Sequence, residues 1–447
     1  MERLIVDTLV TWKTSSARRL LVVSGARGVG KKQLLITQFG KQFNQVHHLD
    51  LAENIELLNH IKSHTQANQL IPILELLCAT QINHEQDLIV FSGLDQLISK
   101  ANISKDQLAA WLEALQHLVS KTPALFIACC CVDSSLVTPN LQAQLTQVIL
   151  RPLSFREFLQ ASPHRALLKT YTKQIQSPAA DSRLMEQFKD YCFTGGLPAA
   201  VAAWFSPDIT SIHQRVAEVS AVHQRYLAQL RQDMSPSPLP LQAVFEQVAN
   251  QLATATVTSV QRFKFKGVLP NKHRYQDFAA ILQWLQQHHY LLLNYPVHGH
   301  VQPPLERHRK TSMLKLFWFD LGLLHHYLGV DYKSLKLSSA PLSGYLLQSF
   351  VQQELVASGL HPTYSWQDAR AEIEFILDGD NQTILPLEVK SAMRTRAKSM
   401  PSYQQKCRPI QMVKLQPECP NKVNRAPSHF QHWPIYFTEF TLDLLAH

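Results

Sequence analysis

The stretch LLVVSGARGVGKK, Leu20 to Lys32, decides the fold of the first part of this chain. A short β-branched run, Leu20 to Ser24, enters a glycine-rich turn, and a helical pattern follows from Lys31 to about Phe43. Gly25-Ala26-Arg27-Gly28-Val29-Gly30-Lys31-Lys32 matches GxxxxGK. Glycines let the backbone wrap an anion, and the amides opening the next helix supply donors and partial positive charge. These eight residues are therefore the candidate phosphate-binding set, with Lys31 placed to reach β- and γ-phosphates. The pattern usually closes on Ser or Thr, whose hydroxyl binds Mg²⁺. Lys32 stands there instead, and an ammonium cannot ligate a cation.

Outward from this loop, further apolar runs at Leu88 to Phe91, Ala124 to Val132 and Gln147 to Leu150 alternate with helical segments. One helix, near Ser104 to Val119, has Ser104 as its cap. Strands alternating with helices predict an α/β fold with a parallel sheet. A metal-binding acid belongs at the end of a partner strand. Leu88 to Phe91 runs into Ser92-Gly93-Leu94-Asp95, so Asp95 comes three residues late and is expected on a loop or as a helix cap. Asp50, after His47-His48-Leu49, is an alternative acid without specific support.

With 447 residues and 45% hydrophobic content, the chain predicts two or three folded domains. The net charge of +9 suits an anionic partner such as nucleic acid, although an acidic membrane face or solubility explains it equally well. Seven cysteines include no CxxC pair. Cys129-Cys130-Cys131 fall in a strand-like run whose alternation suits buried thiols, which points to a reducing, cytoplasmic setting. The N-terminal residues do not read as a signal peptide, and no window reaches the roughly 20 apolar residues a membrane span needs.

Beyond Phe155 the pattern is helical to about Leu230, broken by the turn Gly195-Gly196-Leu197-Pro198. Met234 to Pro240 reads as a proline-rich linker. Helices near Leu241 to Ala253 and Tyr275 to His288, followed by strands around Tyr290 to Tyr295 and Lys315 to Phe319, predict a winged-helix-like unit. From about Ser343 a helix and strands at Ala371 to Leu377 and Thr383 to Val389 return to α/β.

Taken together, these segments resemble a prokaryotic family of AAA-type P-loop ATPases with a C-terminal domain of unknown function. Gly25 to Leu34 resembles the family's GARQVGKT loop, and Arg151 to Leu159 (RPLSFREFL) its PLSFxEF segment. Phe193 to Val201 (FTGGLPAAV) resembles its GGxP turn, and Lys315 to Leu324 (KLFWFDLGLL) its KLYxxDxGLL segment. AEIEF at Ala371 to Phe375 and LEVKS at Leu387 to Ser391 resemble its AEIDF and IEVKS pair. The resemblance implies an AAA-like domain over 1–155, a helical extension over 156–235, a winged-helix-like domain over 236–335 and a restriction-endonuclease-like domain over 336–447. ATP is the implied cofactor. Departures sit at catalytic positions: Lys32 for Thr, Ser92-Gly93 for Asp-Glu, and Cys129 to Val132 where Thr-Gly-Ser is usual. They favour nucleotide binding with weak or absent hydrolysis and leave Mg²⁺ binding open.

In the last domain the resemblance implies a metal held by Glu374 and Glu388, with Lys390 orienting water and Gln348 in place of a helix acid. Alternation puts Glu388 and Lys390 on one face, and hard oxygen ligands suit Mg²⁺. Glu354 is expected off the helical face of Gln348. A second feature is basic: Arg262, Lys264, Lys266, Lys272 and Arg274 come without an acid between Arg262 and Arg274. On a strand, Arg262, Lys264 and Lys266 would share one face and Phe263 and Phe265 the core face. Nine Lys or Arg between Lys390 and Arg425 form another basic run. Such faces neutralise nucleic-acid phosphates without reading sequence. The pairs His47-His48, His288-His289 and His325-His326 lack a third metal ligand and are expected as polar surface or partly buried residues. Ser134-Ser135 and Ser391 lack a nucleophile-elbow context. Three readings stay open: a nucleotide-binding protein associated with nucleic acid, DNA or RNA; a nucleotide-gated, metal-dependent nuclease; and a non-enzymatic interaction protein. The oligomeric state is not legible.

Overall fold

The computed structural model describes all residues except 1, 57–66, 101–102, 255–259, 311, 338–341, 369–370, 380–382, 392–398, 418–429 and 446–447. The chain divides into two compact units, 1–151 with 287–289, and 152–286 with 290–447.

The first unit is built on five strands: β1 (Leu21–Ser24), β2 (Val46–Asp50), β3 (Leu88–Ser92), β4 (Phe126–Cys131) and β5 (Thr146–Ile149). Their order is β2-β3-β4-β1-β5, and every pairing is parallel. LVVS, LIVFS and FIACCC are buried throughout, as strands covered on both faces must be. Val22, Ile89, Phe91, Ile127, Cys129 and Cys131 pack on one face against Leu108, Trp111 and Leu115. These last three lie on the helix Lys105–Lys121, which Ser104 and Gln107 open with a reciprocal capping box. The single helix expected after the glycine loop is α-helical only over Lys31–Gln33. It continues as a π-helix over Leu34–Gln38 and a 3₁₀ turn over Phe39–Gln42.

The second unit holds the helical extension and a seven-stranded mixed sheet. Its strands are β6 (Leu291–His298), β7 (Lys315–Trp318), β8 (Thr363–Asp368), β9 (Ala371–Asp378), β10 (Ile384–Val389), β11 (Met412–Gln416) and β12 (Phe430–Pro434). The order is β12-β11-β10-β9-β8-β6-β7. The strand pair expected as a wing does form, antiparallel between β6 and β7. β6 also pairs in parallel with β8, so these strands extend the C-terminal sheet.

Three of the quoted segments meet around Asp320, which is 0% exposed. Its carboxylate caps the helix Leu321–Tyr327 through Leu323 N at 2.8 Å and accepts Gly196 N at 2.7 Å. Leu153 N, in turn, donates to Gly196 O, and Tyr191 Oη donates to Leu153 O at 2.6 Å. Glu354 also belongs here: its Oε1 accepts Phe155 N at 3.0 Å. A Cβ at Gly195 would lie 2.4 Å from Asp320 Oδ1 and one at Gly322 2.4 Å from Gly195 N, so the turn and the helix start can touch only as glycines.

Among the described residues no helix is long and apolar enough to cross a membrane.

Candidate phosphate-binding site

The glycine loop leaves β1 at the carboxyl edge of the parallel sheet and ends at Gly30, whose φ of 92° turns the chain into the helix. This is where open α/β sheets bind ligands. Lys31 Nζ donates to Gly25 O at 2.8 Å and Ala26 O at 2.9 Å. Burial pushes its ammonium below the usual range, against the opposing pull of Asp95. The ammonium is thus held against the carbonyls of its own loop. Lys32 is exposed on the first turn of the helix.

One residue that no local pattern marked braces the loop. The Arg3 guanidinium, 8% exposed, donates to Val29 O at 3.1 Å and to Arg151 O at 2.6 Å. Arg3 N donates to Gln38 Oε1 on the helical segment beyond the loop. Sequence separations of 26 and 148 residues left these contacts without a signature.

At the end of β3 stands Ser92, directly paired with Asp50 of β2. Its Oγ lies 2.8 Å from His48 Nε2 and donates to Asp50 Oδ2 at 3.2 Å. Asp50 Oδ1 accepts Ala52 N at 3.1 Å. Asp95, expected on a loop or as a helix cap, lies in the first turn of the helix Leu94–Lys100. Its carboxylate accepts Val132 N at 2.8 Å and Asp133 N at 3.0 Å. The backbone leaving β4 needs acceptors there, and the helix starting at Leu94 carries Asp95 to it.

The first unit has the α/β architecture of a P-loop nucleotide-binding fold. Comparisons with known proteins add the following. One family model, a domain of unknown function (DUF8612), matches residues 185–334, and another, DUF4143, matches 343–427. No curated protein matches the sequence. Among solved structures, the ORC2 protein of Aeropyrum pernix (ADPNP-ADP complexes) is similar at 12% identity, over 75% of this chain and 93% of that one, with a TM-score of 0.36. The STAND protein with a tetratricopeptide repeat sensor from Pyrococcus horikoshii is similar at 12% identity, over 80% and 45%, with a TM-score of 0.26. PCH-2 of C. elegans follows at 10% identity, over 48% and 66%, with a TM-score of 0.27. Likenesses at such scores say nothing of chemistry, which rests on the residues themselves.

In the second unit, Glu374 and Glu388 come together with Lys390. Lys390 Nζ lies 2.9 Å from Glu374 Oε1 and 3.4 Å from Glu388 Oε1, and Val389 N donates to Glu374 Oε2 at 3.0 Å. The carboxylates are 1% and 0% exposed. Burial pushes Glu388 up, and the two acids push Lys390 up against its own burial. Lys414 stands opposite Glu388 in the parallel register of β10 and β11. Gln348 Oε1 accepts Val260 N at 3.1 Å.

The basic stretch alternates as expected but forms no strand. Phe263 and Phe265 are buried, Arg262, Lys264, Lys266 and Arg274 are exposed, and Lys272 is half-buried. The Gln251 carboxamide replaces a strand neighbour, accepting Lys264 N at 2.8 Å and donating to Lys264 O at 2.9 Å. Ser259 and much of the Lys390 to Arg425 run lie outside the described residues.

The histidines differ from expectation, since His47, His289 and His325 are buried. His47 lies between Asp87 Oδ2 at 3.0 Å and Thr80 Oγ1 at 3.2 Å, and His325 Nδ1 is 2.6 Å from Cys192 O. Hydrogen bonding makes their burial tolerable.

Proposed function

We propose that the first unit binds a nucleotide, ATP or ADP, through Gly25 to Lys32 and hydrolyses it weakly or not at all. The observation that carries this is the split at the carboxyl edge of the sheet. The phosphate loop is whole, whereas the end of β3 carries Ser92 in place of an acid and Asp95 is bound by backbone amides. Calorimetry of the full chain with ATP and ADP should show binding, and Lys31→Ala should weaken it by at least about tenfold, as losing a charge-assisted phosphate contact does. Robust Mg²⁺-dependent turnover, abolished by Lys31→Ala, would sink the weak-hydrolysis part.

The proposal extends to nucleic acid in the second unit, through the exposed face of Arg262, Lys264 and Lys266 with Lys272 and Arg274 beside it. Three neutralised phosphates correspond to a salt slope of about 2–3 on duplex DNA. In anisotropy titrations against labelled duplex and single strands, replacing Arg262, Lys264 and Lys266 by Ala should reduce the slope by about that amount. An unchanged slope would remove this face from the interface.

A second reading follows from the convergence of Glu374, Glu388 and Lys390. Two carboxylates on adjacent strands are a donor set that fits a hard divalent ion, which would activate water for phosphodiester cleavage by a restriction-endonuclease-like domain. It is the weaker reading because both carboxylates are buried and Lys390 already lies between them, offsetting one of their two charges. Nicking of plasmid with Mg²⁺ or Mn²⁺ that Glu388→Gln abolishes would promote it. Failure to nick in every nucleotide state would leave the cluster as an ion-paired anchor of the sheet.

A further inference from the structure

We propose that the phosphate loop takes its nucleoside di- or triphosphate free of divalent metal, with the Lys32 ammonium supplying the missing cation and the Asp50 carboxylate its counter-charge. This rests on the nucleotide reading above and concerns how the same site balances charge.

The residues at the positions where Mg²⁺ would be held do not fit it. Lys32 occupies the place of the ligating hydroxyl and has only donors. Ser92 Oγ, at the end of β3, is engaged on both sides by His48 and Asp50. The Asp95 carboxylate is turned to the amides of Val132 and Asp133. Among the described residues no group of three or more His, Cys, Asp or Glu is arranged to hold a metal ion.

The carboxylate that remains has moved one strand over. Asp50, at the end of β2, lies across the end of β3, and Gly93 makes the room. A Cβ there would stand 2.2 Å from Asp50 Oδ1, and the φ of +82° suits glycine. Asp50 reaches the His48 ring through the Ser92 hydroxyl, and that imidazole, lowered first by burial, is lowered further by Lys32 and raised by Asp50. The end of the loop therefore carries two adjacent lysines, Lys31 held on the carbonyls of Gly25 and Ala26 and Lys32 exposed beside it, whose two charges would receive phosphate oxygens without an added ion. A single positive charge replaces a double one, so modest affinity is expected.

The experiment is calorimetry of the full chain with ADP and with ATP, in EDTA and in excess Mg²⁺. Dissociation constants within about threefold of each other in the two buffers are expected. Lys32→Thr, a change at an exposed position, should weaken metal-free binding about tenfold. Lys32→Thr with Ser92→Asp should restore a metal site, so that Mg²⁺ tightens binding. Asp50→Asn should leave metal-free binding intact or tighten it. Circular dichroism of each variant checks that the fold is kept. Wild-type binding lost in EDTA, or an Asp50→Asn defect seen only with Mg²⁺, overturns the inference but leaves the nucleotide reading standing. So does an unchanged metal-free affinity in Lys32→Thr. Absence of binding in both buffers overturns the two together.

Discussion

Asp320→Ala is expected to destabilise the second unit by about 3–5 kcal/mol, the largest effect of any single substitution considered. The carboxylate is fully buried and accepts from Gly196, Gly322, Leu197 and Leu323 backbone amides. Burial raises it to about 6, with those amides pulling it down. Removing it strands several donors where water does not reach, and each costs about 1–3 kcal/mol. Asp320→Asn keeps one acceptor oxygen and should lose less. Urea unfolding of the full chain gives the stability, and hydrogen exchange at 194–197 and 320–324 locates the loss. A cost below about 1 kcal/mol would mean that water or rearrangement satisfies those amides, and the anchoring role would fall.

The second large effect is on pH dependence and comes from two buried imidazoles. Burial lowers His325 from 6.5 to about 4 and His223 from 6.5 to about 3. His325 Nδ1 lies 2.6 Å from Cys192 O and His223 Nε2 3.1 Å from Thr194 O, so both rings sit as neutral donors to carbonyls. In the unfolded chain they protonate as pH falls below 6.5, whereas in the folded chain they do not. Stability is therefore unaffected above 6.5 and is lost as pH falls toward the folded values. At pH 5 each costs about 2 kcal/mol, or about 4 kcal/mol together. Asp320, raised to about 6, and Glu439, raised to about 7, act in the opposite direction, because their protonation favours the fold. The test is therefore a difference. The variant His223→Gln with His325→Asn keeps a donor at each position, and its stability change between pH 7 and pH 5 should be less unfavourable than wild type's by about 4 kcal/mol. Identical pH profiles would show that the imidazoles titrate freely in the folded chain.

What could be read along the chain was whatever local pattern encodes. LLVVS entering GARGVGKK marked strand, loop and helix, because a glycine turn and an apolar run need no distant partner to be recognised. The capping box at Ser104 and the alternation of Phe263 and Phe265 with Arg262, Lys264 and Lys266 were legible for the same reason. The pattern could not say what Lys264 would pair with. It alternates like a strand, but a glutamine side chain supplies its partner, so the segment is extended without joining a sheet. Asp95 was legible as a loop or helix-capping residue, but its partners at 132 and 133 carry no local signature.

The sequence by itself determined the parallel α/β core of the first unit and the phosphate loop on its edge, since hydrophobic runs and glycine spacing are properties of neighbours. Only the tertiary structure decided that β6 and β7 join the C-terminal sheet, that Arg3 braces Val29, and that Asp50 lies where β3 lacks an acid. Each of these depends on groups 26 to 148 residues apart, or on strands whose pairing partners local periodicity does not name. Backbone donors and buried charges must find partners wherever the chain brings them, and that requirement is settled by packing.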